Sequence, residues 1–130
     1  MVTYMLMLKR KKGMTKEQFR QHYESSHVAM AKKYLGHLFL DYRRHYPEEN
    51  VGLMADGKWG SIGDQGYDAI TKVDFKDRVD FAEFQRLCQL PDIQKALSED
   101  EERFLDRANS RMSVCEEVRT WTAADIKKSA

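Results

Sequence analysis

The sequence predicts a single α+β domain whose strands and helices follow one another in the order β-α-β-β-α-β. Four segments carry the apolar patterns of strands, and two amphipathic segments separate the first strand from the second and the third from the fourth. A chain of 130 residues is also too short to build two independent hydrophobic cores. This order is that of the ferredoxin-like fold, here with both helical connections broken in two.

The first half of the domain begins with a strand at residues 2–9, which is apolar on both parities and is therefore expected to be covered on both faces. Thr15 is expected to cap the first helix, because Gln18 follows at the spacing of a capping box. The pair Ser25-Ser26 interrupts the helical pattern, and a second helical segment is predicted at residues 28–34.

The second half supplies three more strands, predicted at residues 37–46, 67–75 and 111–121. Asp80 is expected to cap a helix with Glu83 in the capping-box position, and Pro91 begins a further helical segment that ends near Arg107. Residues 47–66 contain five of the seven glycines and predict one long loop of the kind that is usually functional or mobile. The domain is thus assigned to residues 1–121, and residues 122–130 are expected to be a fraying tail.

The predicted sheet has helices on one face only, so its other face needs a cover. We expect Met, Tyr, Phe or Val side chains on that uncovered face, and a second copy of the chain is the simplest cover for it. The sequence therefore predicts a homodimer in which two sheets meet as a dimeric α+β barrel and enclose a chamber.

The composition excludes several classes of protein. Lys and Arg number 22 against 21 Asp and Glu, and this net charge of +1 argues against a dedicated nucleic-acid binder. No apolar run approaches the length of a membrane span, so we expect no membrane partner. The basic cluster at residues 9–12 follows the apolar stretch, which is the reverse of a secretory signal and predicts a cytoplasmic location.

The sequence offers no metal-ligand pattern. Cys88 and Cys115 have neither metal-ligand nor disulfide spacing, and we expect both to be reduced and buried. His22 and His27 lie five residues apart on an interrupted helix, so they are not expected to share a face. The acidic run at residues 99–102 is most simply a solvated helix face.

Two histidines are candidates for proton transfer. His45 ends the second predicted strand on the parity of Asp41 and Arg43, a row that faces either solvent or the chamber of a dimeric barrel. In the chamber it would serve as a general acid or base near neutral pH. His27 lies at the helix break, where it either caps the interrupted backbone or reaches the mouth of a pocket.

The remaining candidates would orient the catalytic group or bind substrate. Asp68 begins the third predicted strand and either orients His45 or satisfies turn amides. Arg43 either binds a substrate carboxylate or pairs with a nearby glutamate. Aromatic side chains more often belong to a core, but an aromatic-rich barrel also suits a flat apolar ligand. The candidate substrate-binding residues are Tyr67, Arg43, Phe39, Tyr4 and Trp59.

Four stretches of the chain resemble EthD-domain proteins. The stretch KKGMTKEQFRQHYESSHVAMAKKY is similar to the family's opening turn and helix, and DYRRHYP resembles its second strand. The second half, YDAITKVDF followed by FAEFQRLCQLPDIQKALSEDEERFLDRANSRMSVCEEV, resembles that of the family. The similarity covers about residues 3–119 and is greatest to small EthD proteins of fungal aromatic-polyketide clusters. One departure is Val28-Ala29-Met30, where the family commonly has proline, and it weakens the case for catalysis by His27.

The resemblance implies a dimeric α+β barrel with one pocket per subunit and no cofactor. It also implies a cofactor-independent lyase that decarboxylates an aromatic polyketide acid, such as an anthrone-type carboxylic acid. Two alternatives stay open, because fold does not determine the reaction. One is a polyketide cyclase, dehydratase or cofactor-free anthrone-type monooxygenase with the same pocket. The other is a non-catalytic binding or accessory module.

Overall fold

A computed structural model describes residues 1–129 of the chain, with side chains up to residue 127. Four strands, β2 (Phe39–His45), β5 (Ala69–Phe75), β1 (Val2–Leu8) and β6 (Arg111–Cys115), form one antiparallel sheet in that order, and two further strands form a separate hairpin. The predicted α+β class is confirmed. The elements are β1 (Val2–Leu8), α1 (Lys16–His22), a π-helical turn (Tyr23–His27), α2 (Val28–Leu35), β2 (Phe39–His45), β3 (Val51–Leu53), β4 (Trp59–Ser61), β5 (Ala69–Phe75), α3 (Arg78–Cys88), α4 (Pro91–Phe104), β6 (Arg111–Cys115) and α5 (Ala123–Ser129).

Side chains at the helix N-termini explain where the helices begin. The Thr15 hydroxyl accepts a hydrogen bond from the Gln18 amide at 3.1 Å, and the Gln18 side chain accepts one from the Thr15 amide at 2.9 Å, as the sequence predicts. Asp77, rather than Asp80, caps α3, because its carboxylate accepts from the Asp80 amide at 2.9 Å. The predicted Asp80 cap is therefore wrong by three residues.

The predicted long loop contains a short β-hairpin. Strands β3 and β4 pair Val51 with Ser61 and Leu53 with Trp59. The turn between them contains Gly57 at φ 81°, a left-handed conformation that favours glycine. The expectation of a loop without structure was wrong, because the turn residues allow the flanking segments to pair.

The last strand is shorter than predicted. Cys115 pairs with Thr3 near the start of β1, so the chain beyond it soon runs out of a partner strand. The predicted extension of this strand to residue 121 was therefore wrong. Within the predicted tail, the hydroxyl of Thr122 accepts from the Asp125 amide at 3.3 Å at the start of helix α5. Residue 130 lies outside the described residues.

The hydrophobic core lies between the helices and one face of the sheet. One cluster surrounds Phe19 and Phe104, and a second surrounds Phe75 and Phe81; all four side chains are buried. Both cysteines are free thiols and are only partly buried, so the expectation of buried cysteines was too strong.

The opposite face of the sheet carries a mixture of charges and methionines. The strand register places Arg43, Lys72 and Met5 side by side on three neighbouring strands, so their side chains share this face. The Lys72 ammonium contacts the carboxylates of Asp74 at 3.6 Å and Glu117 at 2.8 Å. The expected covering of Tyr, Phe and Val was wrong, because the aromatic residues of β1 and β2 point toward the helices.

Candidate functional site

A cavity of about 590 Å³ lies inside the protomer, between the helical face of the sheet and helices α2, α3 and α4. Its volume is within the range of small-molecule sites. Much of its wall is aromatic, contributed by Tyr4, Phe39, Tyr42, Phe81 and Phe84. Edge-to-face contacts fix these rings: Tyr4 lies 5.6 Å from Phe84, and Phe39 lies 5.4 Å from Tyr42, between ring centroids.

The π-helical turn determines which side chains reach this cavity. Its amide at Val28 donates to the carbonyl of Tyr23, five residues earlier, so residues five apart are brought onto one face. As a result, His22 and His27 both contact the carboxylate of Asp100 on α4, at 3.0 and 2.9 Å. The expectation that these histidines do not share a face was wrong, because it assumed the periodicity of an α-helix.

Asp100 is a fully buried carboxylate whose hydrogen bonds keep it ionised. Besides the two histidines, the Ser26 hydroxyl donates to it at 2.7 Å and Arg103 approaches it at 3.5 Å. Burial alone would raise the pKa of Asp100, but the hydrogen bonds from Ser26 and the histidines outweigh this and lower it below its usual value.

His27 connects this buried carboxylate to the cavity. Its Nδ1 lies 2.9 Å from Asp100, and its ring packs against Phe104 and lines the cavity. An Nδ1–H donated to Asp100 leaves Nε2 as the unprotonated nitrogen of the neutral ring. Among the described residues none hydrogen-bonds to Nε2, so this nitrogen is available to a ligand.

Glu101, the next residue on α4, also lines the cavity and has an altered acidity. Burial raises the pKa of Glu101, and the charges of His27 and Arg107 reverse this only in part. Burial and the charge of Glu101 also raise the pKa of Cys88 to about 11. The Cys88 thiol therefore keeps its proton at neutral pH.

Tyr4 presents a phenol to the same space. Its hydroxyl donates to the thioether sulfur of Met112 at 2.8 Å, a weak acceptor that a ligand oxygen can replace. Burial, followed by the charges of Cys88 and Glu101, raises the pKa of Tyr4 to about 12, so the phenol remains a donor at neutral pH. The cavity thus combines a phenol that donates at neutral pH, a carboxyl group whose pKa is raised and one imidazole.

Three of the residues that the sequence singled out, His27, Tyr4 and Phe39, line this cavity. His45 and Arg43 do not, because their strand register places them on the uncovered face of the sheet. His45 is exposed there, and Arg43 pairs with Asp41 at 2.5 Å. Their catalytic and binding roles stay predictions, and in one protomer the sheet separates them from the cavity.

The other three predicted residues lie near the connection between β2 and β5. Asp68 is buried and accepts from the backbone amide of Arg10 at 2.7 Å and from its guanidinium at 2.6 Å. The hydrogen bond that the Arg10 guanidinium donates to Asp68 raises the pKa of Arg10, as expected for an ion pair that anchors the connection to β1. Tyr67 accepts from Asn50 through its carbonyl, and Trp59 is exposed on the hairpin.

Asp100 and Glu101 belong to the acidic run that was expected to be a solvated helix face, so neither was predicted as a site residue. Asp100 is instead 0% exposed. The signal was available in the spacing, because Leu97 and Phe104 lie three or four residues away from both carboxylates and share the inward face of α4.

Within residues 1–129, no group of three or more His, Cys, Asp or Glu side chains is arranged to hold a metal ion. No helix in that part of the chain is both long enough and apolar enough to span a bilayer.

Comparisons with known structures agree on the fold. At3g17210 from Arabidopsis thaliana has a TM-score of 0.60 at 13% identity, and the match covers 94% of this chain and 100% of that one. HapK from Hahella chejuensis has a TM-score of 0.58 at 12% identity, covering 95% and 98%. A dimeric protein with a ferredoxin-like fold from Bacteroides fragilis has a TM-score of 0.53 at 10% identity, covering 89% and 95%.

Sequence comparison gives the family. No curated protein sequence matches the chain. A profile of the EthD domain matches residues 11–108, which includes α1 to α4 and the whole of the Asp100 cluster. The chain therefore belongs to the EthD domain family.

Proposed function

We propose that the protein is a cofactor-independent lyase that decarboxylates an aromatic polyketide carboxylic acid within the cavity between its helices and sheet. The observation that carries the proposal is the pairing of His27 with the buried carboxylate of Asp100 on the wall of an aromatic cavity. A buried carboxylate that fixes an imidazole in one orientation is a common arrangement for proton transfer. Glu101 and Tyr4 add proton donors beside it.

The proposed reaction needs a proton donor and a place for a flat ring system. In a β-keto or ortho-phenolic acid, the carbon–carbon bond to the carboxylate breaks and CO₂ leaves. The bond's electron pair moves onto the neighbouring carbonyl and forms an enolate. Glu101, whose pKa is raised by burial, acts in its protonated form and donates its proton to the enolate oxygen. His27 then takes up a proton from solvent at Nε2 and passes it to Glu101, with Asp100 stabilising the transient imidazolium form.

The charge of the cavity wall also favours loss of CO₂. No Lys or Arg is among the described residues that line it. A cation that held the substrate carboxylate tightly would stabilise the ground state more than the transition state, in which that charge is leaving. A wall without fixed cations avoids this cost, and the aromatic rings bind the remainder of the substrate through apolar contact.

The test is incubation of the purified protein with an anthrone-type carboxylic acid, followed by mass spectrometry. Loss of CO₂ supports the proposal. Gain of oxygen or loss of water contradicts it in favour of an oxygenase or a dehydratase. Retention of the acid without conversion contradicts it in favour of a binding module.

A matched pair of variants separates the two candidate histidines. His27→Asn retains a side-chain N–H that can donate to Asp100 but removes Nε2, and we expect kcat to fall about 100-fold. His45→Asn changes the opposite face of the sheet, and we expect kcat to stay within about twofold of wild type. Loss of activity in His45→Asn alone would return the catalytic role to His45 and refute the site proposed here.

We also infer that the protein forms a homodimer through the uncovered face of its sheet. Support comes from the dimeric state of the Bacteroides fragilis protein with a similar fold and from the partly buried methionines on this face. Met5→Lys should shift sedimentation at micromolar concentration from dimer to monomer, whereas Lys33→Met on the exposed part of α2 should not. A monomeric wild-type protein would contradict this inference.

A further inference from the structure

The mouth of the cavity carries three glutamine side chains that have no described role in holding the fold. Gln85 and Gln89 lie at the end of α3, and Gln94 lies in the first turns of α4. All three are exposed, and none of their side chains hydrogen-bonds to a described residue. These three residues are called the amide rim below.

The position of the amide rim follows from the periodicity of the two helices. On α3, Phe81 and Phe84 face the interior, and Gln85 follows on the same side one turn later. On α4, Gln94 precedes Leu97 and Glu101 along one face. Each helix therefore presents an apolar or acidic group deep in the cavity and an amide at its opening.

The opposite side of the mouth is apolar. Met112 and Val114 of the edge strand β6 line it and are about half exposed, at 52% and 50%. A flat ligand that enters between β6 and the helices thus meets hydrocarbon on one side and free amides on the other. Each amide offers both an acceptor and two N–H donors, which suits neutral oxygen substituents better than a fixed charge.

We propose that the amide rim is a specificity subsite that binds phenolic hydroxyl or carbonyl oxygens on the outer edge of a planar polycyclic ligand. This inference rests on the proposed function for the identity of the ring system, but its chemistry is separate from the proton transfer at His27 and Glu101. A neutral hydrogen bond changes affinity by about two- to tenfold, so two such bonds predict about tenfold selectivity for a hydroxylated ring.

The test measures affinities for two probes, dihydroxyanthraquinone and unsubstituted anthraquinone, by isothermal titration calorimetry. We expect wild type to bind the hydroxylated probe about tenfold more tightly. A triple variant, Gln85→Met, Gln89→Met and Gln94→Met, keeps the length of each side chain and removes each amide. Its selectivity should fall to about twofold or less, while its affinity for the unsubstituted probe is retained.

Gln21→Met provides the control, since Gln21 is an exposed glutamine on α1 outside the cavity wall and its substitution should leave selectivity unchanged. Equal affinity of wild type for the two probes, or full selectivity in the triple variant, would overturn the inference. Turnover of the carboxylic acid is measured in parallel. In the triple variant we expect KM to rise about tenfold with kcat unchanged, because the rim contacts the ligand equally before and during reaction.

The two proposals fail separately. If wild type decarboxylates the acid and the triple variant keeps its selectivity, the amide rim is refuted and the lyase proposal is not. Rim-dependent selectivity without any loss of CO₂ would refute the lyase and leave the amide rim as the recognition element of a binding protein.

Discussion

Replacement of Asp100 by asparagine tests whether one buried carboxylate holds the π-helical turn against α4. The side chain is fully buried and accepts hydrogen bonds from Ser26, His22 and His27. Asparagine has nearly the same volume, but it lacks the negative charge and presents an N–H₂ group to donors. At least one of the three contacts must then break, or His27 must switch tautomer so that its Nδ1 accepts from the amide and its Nε2 carries the proton.

The expected loss follows from the cost of breaking a buried charged network. Removing one partner of a buried ion pair costs about 3–5 kcal/mol, and hydrogen bonds to charged groups contribute about 1.5–3 kcal/mol each. Because the amide oxygen of the introduced asparagine still accepts one bond, we expect the lower end, about 3 kcal/mol. An unfolding entropy of about 2.1 cal/mol/K per residue over 130 residues converts this loss to a decrease in Tm of about 11 °C.

Urea denaturation followed by far-ultraviolet circular dichroism measures this loss. Trp59 and Trp121 are both mostly exposed, so tryptophan fluorescence would report unfolding poorly. Glu99→Gln is the matched control, because Glu99 is the preceding residue of α4 and is exposed, and among the described residues its ionic contact is a distant one with Lys95 at 4.0 Å. Its substitution should change the free energy of unfolding by about 0.5 kcal/mol or less.

The pH dependence gives an independent check. Since hydrogen bonding lowers the pKa of Asp100 in the folded state, the ionised carboxylate stabilises the fold above the unfolded-state pKa of about 3.9. This stabilisation is lost as the pH falls through the folded-state pKa. The difference between wild type and Asp100→Asn should thus be complete at pH 7 and shrink below about pH 4. A variant within about 1 kcal/mol of wild type at pH 7 would refute the reasoning.

Three further predictions concern other parts of the molecule. Asp68→Asn should lower the free energy of unfolding by about 2 kcal/mol, because it breaks the ion pair with Arg10, and it should leave kcat unchanged. A large loss of kcat in a stable variant would support a catalytic role for Asp68. Phe104→Ala should lower the free energy of unfolding by about 3–5 kcal/mol in urea denaturation, because this fully buried ring packs on His22 and His27. A loss under about 1 kcal/mol would contradict this. In the pH–rate profile, kcat should fall as the pH rises through the raised pKa of Glu101, and Glu101→Gln should remove that limb along with most activity.

Sequence reasoning predicted the local structure best where a side chain acts on its own backbone. The capping box of Thr15 and Gln18 is an interaction within four residues, so the sequence contains all of its partners. The cap of α3 was misplaced because Asp77 and Asp80 both have capping side chains and both precede the same apolar pattern. Here the sequence offers two equivalent local solutions, and the structure uses the earlier one, in which Asp77 accepts from the amide of Asp80.

The hairpin and the shortened last strand depend on partners that lie far away in the chain. β6 ends where β1 begins, which is a property of their register and not of the residues that follow Cys115. Likewise, the glycines of residues 47–66 signal a turn but do not tell which flanking segments pair. Such features follow from tertiary contacts, and single-sequence periodicity contains no information on them.

The location of the cavity shows most clearly what periodicity leaves undetermined. Alternation identifies residues that share a face of a strand, so His45 and Arg43 were correctly grouped, but it does not tell which face the helices cover. The aromatic rows of β1 and β2 decide which face is covered. Burial of Tyr4 and Tyr42 against the helices lowers the free energy of the fold, whereas burial of the charged row would raise it. Once the aromatic rows face the helices, the charged row faces outward, and the titratable groups of the cavity wall come from the helices and from the tyrosines of β1 and β2. The π-helical turn places His27 among them: its extra residue per turn puts a second histidine on Asp100, a pairing that helix periodicity of 3.6 excludes.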